Sequence, residues 1–514
     1  MNNSKMRLLL LNYPYLAEEL KARGIEIFSA GLTDDCDLKL DIAEYHLDNI
    51  LNRIDFAPDS IIFMDSVDRI IPKGLEDSPF PLAACFIDST INRFWQYPLA
   101  RLFDIVLFDQ KHDAESNRRN GLDSHWFPLA ADTDIYKSQS VEKVYDISFI
   151  GSRNAETRIK RNNILNKLSR EFSLQIFDGN PPVSANEAAD IYNRSKLVLN
   201  ENLFPSLNLR LFEVMASGTA VLTEENGDGL PDLFRDGKHI ITYNPDNLVD
   251  KIRYYLEFER ERKGIATRGR ELVETNHSFA ARAQELIELL GSAKKRVRLS
   301  LMKRKVALAE ALVGYYLKWP EKDPSALKLS DEFLRVAEIS SQSAMQLRGK
   351  LKLIQGDLTS AEISFHQTTE QFNTNYQAYL NYGLILWQIG KRDIAQSYLV
   401  KAGELVSQLQ NEETPASIPA EPGSEEFHVF WGSALRDLGL PFIPGLMMFG
   451  KPMQFWTALE HFAAAATLNP LHYEALGDLL LEIHSPDQAL QAYERVESIT
   501  DEKLKQTARL AYQY

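Results

Sequence analysis

The stretch Asn208-Leu209-Arg210-Leu211-Phe212-Glu213-Val214-Met215-Ala216-Ser217-Gly218-Thr219-Ala220-Val221-Leu222-Thr223 decides how the middle of this chain folds. It reads as a helix, a tight turn at Gly218 and a buried strand. Asn208 and Arg210 stand at the helix start. A helix N-terminus beside an arginine faces phosphate charge. Glu213, about one turn along, can accept hydrogen bonds from ligand hydroxyls. Ala216, Ser217 and Gly218 let backbone and ligand approach closely.

The surrounding sequence repeats that alternation of helix and strand. Upstream and downstream, apolar runs at 145–151, 174–177, 197–200, 220–223 and 239–243 read as strands separated by helices. Residues 6–135 do the same, with strands at 7–12, 25–28, 60–65, 83–88 and 105–109. Strands alternating with helices imply parallel sheets covered on both faces. Two such sheets are expected, one in residues 1–135 and one in 136–295. Three strands of the first end at Asp65, Asp88 and Asp109. Ligands of open parallel sheets bind at carboxyl ends of strands, so these aspartates point towards one cleft.

From about residue 300 the strand signals vanish and the chain repeats itself. Gly349, Gly356 and Ala361 recur as Gly383, Gly390 and Ala395, each 34 residues on. Large apolar residues follow the second small one: Phe365 after Ala361, Phe462 after Ala458, Tyr493 after Ala489. A 34-residue period of paired helices resembles the tetratricopeptide repeat. About four repeats are expected in 300–514, with a degenerate pair between 300 and 340. Residues 410–424 have linker composition. An apolar insertion at 440–455 either packs against the body of the protein or is offered to a partner.

Composition narrows the function. The chain has 514 residues, 44% of them hydrophobic, and a formal net charge of -15. That balance argues against a general nucleic-acid binder. One basic run (Lys294, Lys295, Arg296, Arg298, Lys303, Arg304, Lys305) reads as a solvated helix face or as a surface-binding patch. The two cysteines, Cys36 and Cys85, give no disulfide framework and no metal site. No stretch approaches the roughly 18–20 apolar residues of a membrane span. A cytoplasmic protein is expected, with its oligomeric state open. A P-loop, a zinc-spaced histidine cluster and a serine elbow are absent from the sequence. Asp35-Cys36-Asp37 imitates a metal-binding Asp-x-Asp but falls early, in a polar loop.

The second half carries a specific set of motifs. They are Phe149-Ile150-Gly151-Ser152-Arg153, Arg158, Ser195-Lys196 before a strand ending in Asn200, and Asn208 to Glu213 with Ala216-Ser217-Gly218. Over roughly 145–290 this pattern resembles the C-terminal half of glycosyltransferases with two Rossmann-like domains, the GT-B arrangement. It is most similar to the CgeB-like, spore-maturation branch. The first half is matched by layout and by Phe86-Ile87-Asp88-Ser89.

The resemblance implies a nucleoside-diphosphate sugar, a uridine one, as donor substrate, with no cofactor and no metal. Gly151, Ser152, Arg153, Arg158, Asn208, Arg210, Glu213 and Gly218 are then the donor-binding residues. Gly151 lets backbone approach the diphosphate, arginines stabilise it as it departs, and Glu213 holds the ribose. Arg210 can equally be a fork that holds the helix. Residues 226–229 form either an ordinary turn or a loop against the donor sugar. A general base for an inverting reaction should come from the first sheet. Asp88 is the best placed, and it can also be a helix N-cap. Asp65, Asp109, His112 and His125 compete. The helical array suggests a protein acceptor, or else self-association. One departure stands out: many retaining relatives carry a second glutamate where this chain has Pro205. The alternative is a non-catalytic repeat scaffold with a degenerate body.

Overall fold

The computed structural model describes residues 6–507, except 66–69, 155–157, 180, 203, 245, 293–298, 337–340, 411–416, 441–450, 484, 497–498, 501 and 505. The chain divides into two compact units. One takes in the chain up to Thr90 together with Phe103–Arg296; the other takes in Ile91–Leu102 and Val297–Thr507.

The first unit contains both sheets. Strands β1 (Arg7–Leu11), β2 (Glu26–Gly31), β3 (Leu38–Lys39), β4 (Ser60–Met64), β5 (Leu82–Phe86), β6 (Ile105–Phe108) and β7 (Ser124–Trp126) form one sheet. Its order is β3-β2-β1-β4-β5-β6-β7 and every pairing is parallel. β4, β5 and β6 are buried along their whole length, which is why they read as continuous apolar runs. The short β3 and β7 carry polar residues and left no such run.

Strands β8 (Tyr145–Ile150), β9 (Leu174–Phe177), β10 (Ser195–Asn200), β11 (Ala220–Glu224) and β12 (Ile241–Tyr243) form the second sheet, also parallel, in the order β12-β11-β10-β8-β9. The chain leaves β8 to one side for β9 and returns on the other side as β10. That reversal opens a crevice beyond the carboxyl ends of β8 and β10.

The two sheets share one compact unit, and the chain crosses between them twice. It passes from the first to the second near Ala131. It returns beside the same point, where Ala131 N–H donates to His277 O (3.0 Å) and Phe279 N–H donates to Ala131 O (2.9 Å). The Phe279–Ser292 helix then packs on the first sheet, its Ala283 and Leu286 buried with Leu8, Leu10 and Ile62. The stretch 136–295, read as one domain, therefore ends in an element of the first core.

The second unit is helical. Five packed helix pairs lie among the described residues: Leu301–Lys318 with Ala326–Val336, Gln342–Ile354 with Leu358–Gln371, Tyr376–Gln388 with Arg392–Leu409, Glu425–Asp437 with Ala458–Leu468, and Tyr473–Glu482 with Pro486–Tyr493. Gln342 and Tyr376 open corresponding helices 34 residues apart. The repeat has a steric cause. A Cβ at Gly349 would run into the Phe365 ring, one at Gly383 into Leu399 and one at Gly477 into Tyr493. Each glycine lets a bulky residue of the paired helix sit against bare backbone.

Both interruptions fall partly outside the described residues, as do Lys294, Lys295, Arg296 and Arg298 of the basic run. The described end of the apolar insertion packs within the array. Met453 joins the cluster of Tyr376, Leu380 and Leu384, and the Lys350 ammonium lies 4.9 Å from the centre of the Phe455 ring. Among the described residues, no helix is long and apolar enough to cross a membrane.

Candidate active site

Gly151 follows β8 with φ +154°, a conformation that side chains disfavour. A Cβ here would lie 2.8 Å from the Arg210 Nη2, so the glycine makes room for that guanidinium. Arg210 stacks 4.9 Å above the Phe149 ring and donates to Asn200 Oδ1 at 3.0 Å. It reaches this place from the Leu209–Ala216 helix, whose N-terminus Asn208 caps by accepting from Leu211 N–H (3.2 Å). The Asn208 amide is also engaged, donating to Asn202 Oδ1 at 2.6 Å.

A cluster of cations surrounds this turn. Burial and the neighbouring Arg161 push the Arg210 guanidinium below its ordinary pKa. Arg158, ahead of the Ile159–Glu171 helix, is depressed in the same way by burial, Arg161 and Arg210, while Glu201 and Asp88 attract it. Like charges held together in a half-dry crevice favour an incoming anion. Arg161 itself is neutralised: its Nε lies 2.6 Å from Glu201 Oε2, both side chains being buried. Lys160 pairs with the buried Glu224, which also accepts from Asn202 N–H.

Glu213 lies one turn along the helix from Arg210, half-buried. Burial raises its pKa, while the Tyr136 and Tyr192 hydroxyls and the Arg210 charge pull it back. The carboxylate is thus held among hydroxyl donors, the kind of partner a ribose would supply.

The remaining expected residues sit as follows. Arg153 lies on the flank: its Nε donates to Asn162 Oδ1 (3.1 Å) and its N–H to Asp178 Oδ1 (3.3 Å). Ser152 gives its carbonyl to Arg161 (2.9 Å). Gly218 does not belong to the crevice. The helix runs back along the sheet, so Gly218 lies at the amino end of β11, where a Cβ would meet Ser138 Oγ at 2.8 Å. Its φ of +70° serves the helix stop.

At the first sheet, Asp88 follows β5 with φ +50°, exposed, immediately before the Ser89–Ala100 helix. Its backbone N–H donates to Asp109 Oδ2 at 2.9 Å, and Ser89 N–H to Asp109 Oδ1 at 3.2 Å. Ser89 Oγ lies 2.7 Å from both Asp109 Oδ1 and Asp113 Oδ2. Burial pushes Asp109 up to about 7, against hydrogen bonds from Gln110 and Ser89. Asp109 is thus the buried support of the turn that presents Asp88. Asp65 is buried and accepts from Ile87 N–H (3.3 Å). His125 is held by Asp123 at 2.9 Å, and His112, in the first turn of a helix, donates its N–H to Asp228.

The loop 226–229 reaches the first sheet. Asp228 caps the Lys111–Arg119 helix at 2.7 Å, and Gly229 leaves space for the Trp126 ring. Sequence reasoning missed Glu201, Glu224, Lys160, Arg161, Tyr136 and Tyr192. Among the described residues, no group of three or more His, Cys, Asp or Glu could hold a metal ion.

Residues 154–288 match the family described as glycosyl transferase-like. This is the stretch that carries Arg158, Arg161, Arg210 and Glu213. No curated protein matches the chain. Among solved structures, the Anabaena protein HepE in complex with UDP-glucose is similar at 12% identity, covering 56% of this chain and 100% of its own, with a TM-score of 0.43. Sucrose-phosphate synthase from Thermosynechococcus elongatus is similar at 11% identity, covering 55% and 98%, with a TM-score of 0.41. A DNA-modifying β-glucosyltransferase is similar at 13% identity, covering 55% and 99%, with a TM-score of 0.39.

Proposed function

We propose that this protein is a metal-independent glycosyltransferase, of the GT-B arrangement and similar to the CgeB-like branch, that moves a sugar from a uridine-diphosphate donor to a protein acceptor. The observation that carries this reading is the Arg158–Arg161–Arg210 cluster, inside the glycosyl transferase-like stretch and beside the Gly151 turn that precedes it. Arg158 and Arg210 take the diphosphate and stabilise the charge that grows on it as the glycosidic bond breaks. Glu213 takes the ribose hydroxyls.

Asp88 is the general base in this reading. It removes the proton of the acceptor hydroxyl while that oxygen attacks the anomeric carbon, and the diphosphate leaves with the bonding pair. The electrostatic attraction between Asp88 and Arg158 supports placing the two chemistries side by side. The helical array, with its 34-residue register and glycine-to-aromatic packing, resembles tetratricopeptide repeats and offers an extended surface to a peptide.

Release of nucleoside diphosphate from a panel of sugar donors tests the reading. Turnover of at least one donor by the wild type, abolished in Arg158→Ala and Glu213→Ala, is the expected result. A chain that binds and releases none of them is a scaffold, the competing reading that Pro205 favours.

A further inference from the structure

Gln110 stands between the two candidate half-sites and touches both. It precedes the Lys111–Arg119 helix and is only 2% exposed. Its Nε2 lies 2.9 Å from Asp109 Oδ2 and 3.0 Å from Leu207 O. Its Oε1 accepts from Leu207 N–H at 2.9 Å. Both amide protons and the carbonyl are therefore in use, and only a primary amide of this length offers two donors and an acceptor in that arrangement.

Its partners give these bonds their meaning. Asp109 Oδ2, the atom that receives Gln110, also receives the N–H of Asp88. Leu207 precedes Asn208, the cap of the helix that bears Arg210 and Glu213. An unbroken series of bonds thus runs from the Asp88 turn through Asp109 and Gln110 to the segment ahead of the donor-site helix. Two further polar contacts between the sheets lie on the other side of Gln110. Lys111 pairs with Asp232 at 2.8 Å and Asp228 caps the helix that Lys111 begins; these hold the sheets together beside the crevice.

The geometry points to Gln110 as a positioning residue that couples occupancy of the donor half-site to the placement of Asp88. The inference rests on reading the Arg158–Arg210–Glu213 crevice as the nucleotide site. A ligand that orders 204–213 pulls on Leu207, and the buried amide passes that constraint to Asp109 and so to the backbone of Asp88. Replacing the amide cuts the connection and leaves Arg158, Arg210, Glu213 and Asp88 themselves in place.

Hydrogen–deuterium exchange on the full chain, with and without UDP, reads this directly, because the N–H groups of Asp88 and Ser89 both donate to Asp109. In the wild type, UDP is expected to slow exchange at 204–213 and also at 86–90, the latter on the order of tenfold. In Gln110→Leu the effect at 204–213 stays and the effect at 86–90 disappears. Gln110→Asn, one methylene too short to bridge, is expected to uncouple in the same way if the leucine variant does not fold. Asp228→Ala removes a different polar contact between the sheets, the one to His112 N–H, and should keep both effects. Protection at both segments in the Gln110 variants overturns the coupling. So does protection confined to 204–213 in the wild type, which leaves the donor reading intact. A chain whose exchange UDP changes nowhere overturns the donor reading, and the coupling with it.

Discussion

The carboxyl edges of the two sheets are built on opposite electrostatic plans. At the first edge, Asp65, Asp88 and Asp109 stand close together, and Asp65 and Asp109 are supported by backbone N–H groups, a serine hydroxyl and an amide. At the second edge, Lys160, Arg158, Arg161 and Arg210 gather, with two of them already paired to Glu224 and Glu201. Neutral donors support a carboxylate without a counter-charge; guanidinium groups whose mutual repulsion is only partly offset leave room for an anion. The comparison also separates two kinds of cation within one crevice. Arg161 is spent on the protein's own carboxylate, whereas Arg158 is repelled by its neighbours and gains from a guest.

The largest effect should come from the guest-binding cations. Arg158→Met is expected to lower turnover of a sugar donor by about 10²–10³-fold, the usual loss when a preorganised charge partner of a transition state is removed. Its thermal midpoint should hold or rise, because a repelled charge has gone. Steady-state kinetics and calorimetry on the same sample check both halves. Arg161→Met should behave in the reverse sense. Glu201 is left buried and unpaired, which costs about 3–5 kcal/mol of stability. If the two variants lose stability equally in urea titrations, the distinction between the two arginines collapses.

The acidic edge has its own signature in pH. Asp109 holds its proton up to about 7 in the folded chain, against 3.8 ordinarily. Between those values the native state binds more protons than the unfolded one, so this residue's contribution to stability falls as pH rises from about 4 to 7. Asp109→Asn has no such dependence, and its urea midpoint should gain on the wild type across that interval. A constant difference would mean that the carboxyl ionises normally despite its burial.

The smallest effect lies in the array. Gly349→Ala forces a methyl into the Phe365 ring and should cost about 1–3 kcal/mol. UDP affinity should stay as it was. An equal loss of nucleotide binding would show that the repeats support the crevice and not only themselves.

How much of this was legible follows from the range over which each signal acts. The buried strands β4, β5 and β6 are visible because both faces are covered, which leaves consecutive apolar residues. Gly349 with Phe365 is visible because the contact recurs at a fixed interval. Glu213, Arg210 and Asn208 stood out in the sequence because one short helix and its cap carry them all. Arg161 with Glu201 and Lys160 with Glu224 were not, since each pair joins side chains from separate elements and leaves no local pattern. Gln110 is the extreme case: a glutamine before a helix looks ordinary until the chain brings Leu207 to it. Gly218 misled for the reverse reason. It lies close in sequence to Glu213, yet the helix carries it to the far end of the sheet.

The adjacency of Ala131 and Ser278, paired in a parallel bridge, has a practical consequence. The lobe built on the second sheet is a cassette, entering and leaving its host at one point, while the Phe279–Ser292 helix packs into the host core. Excising 132–277 and joining the cut ends with a short linker should leave the host lobe whole. A different five-stranded lobe grafted at the same two positions would keep the remainder of the molecule in place.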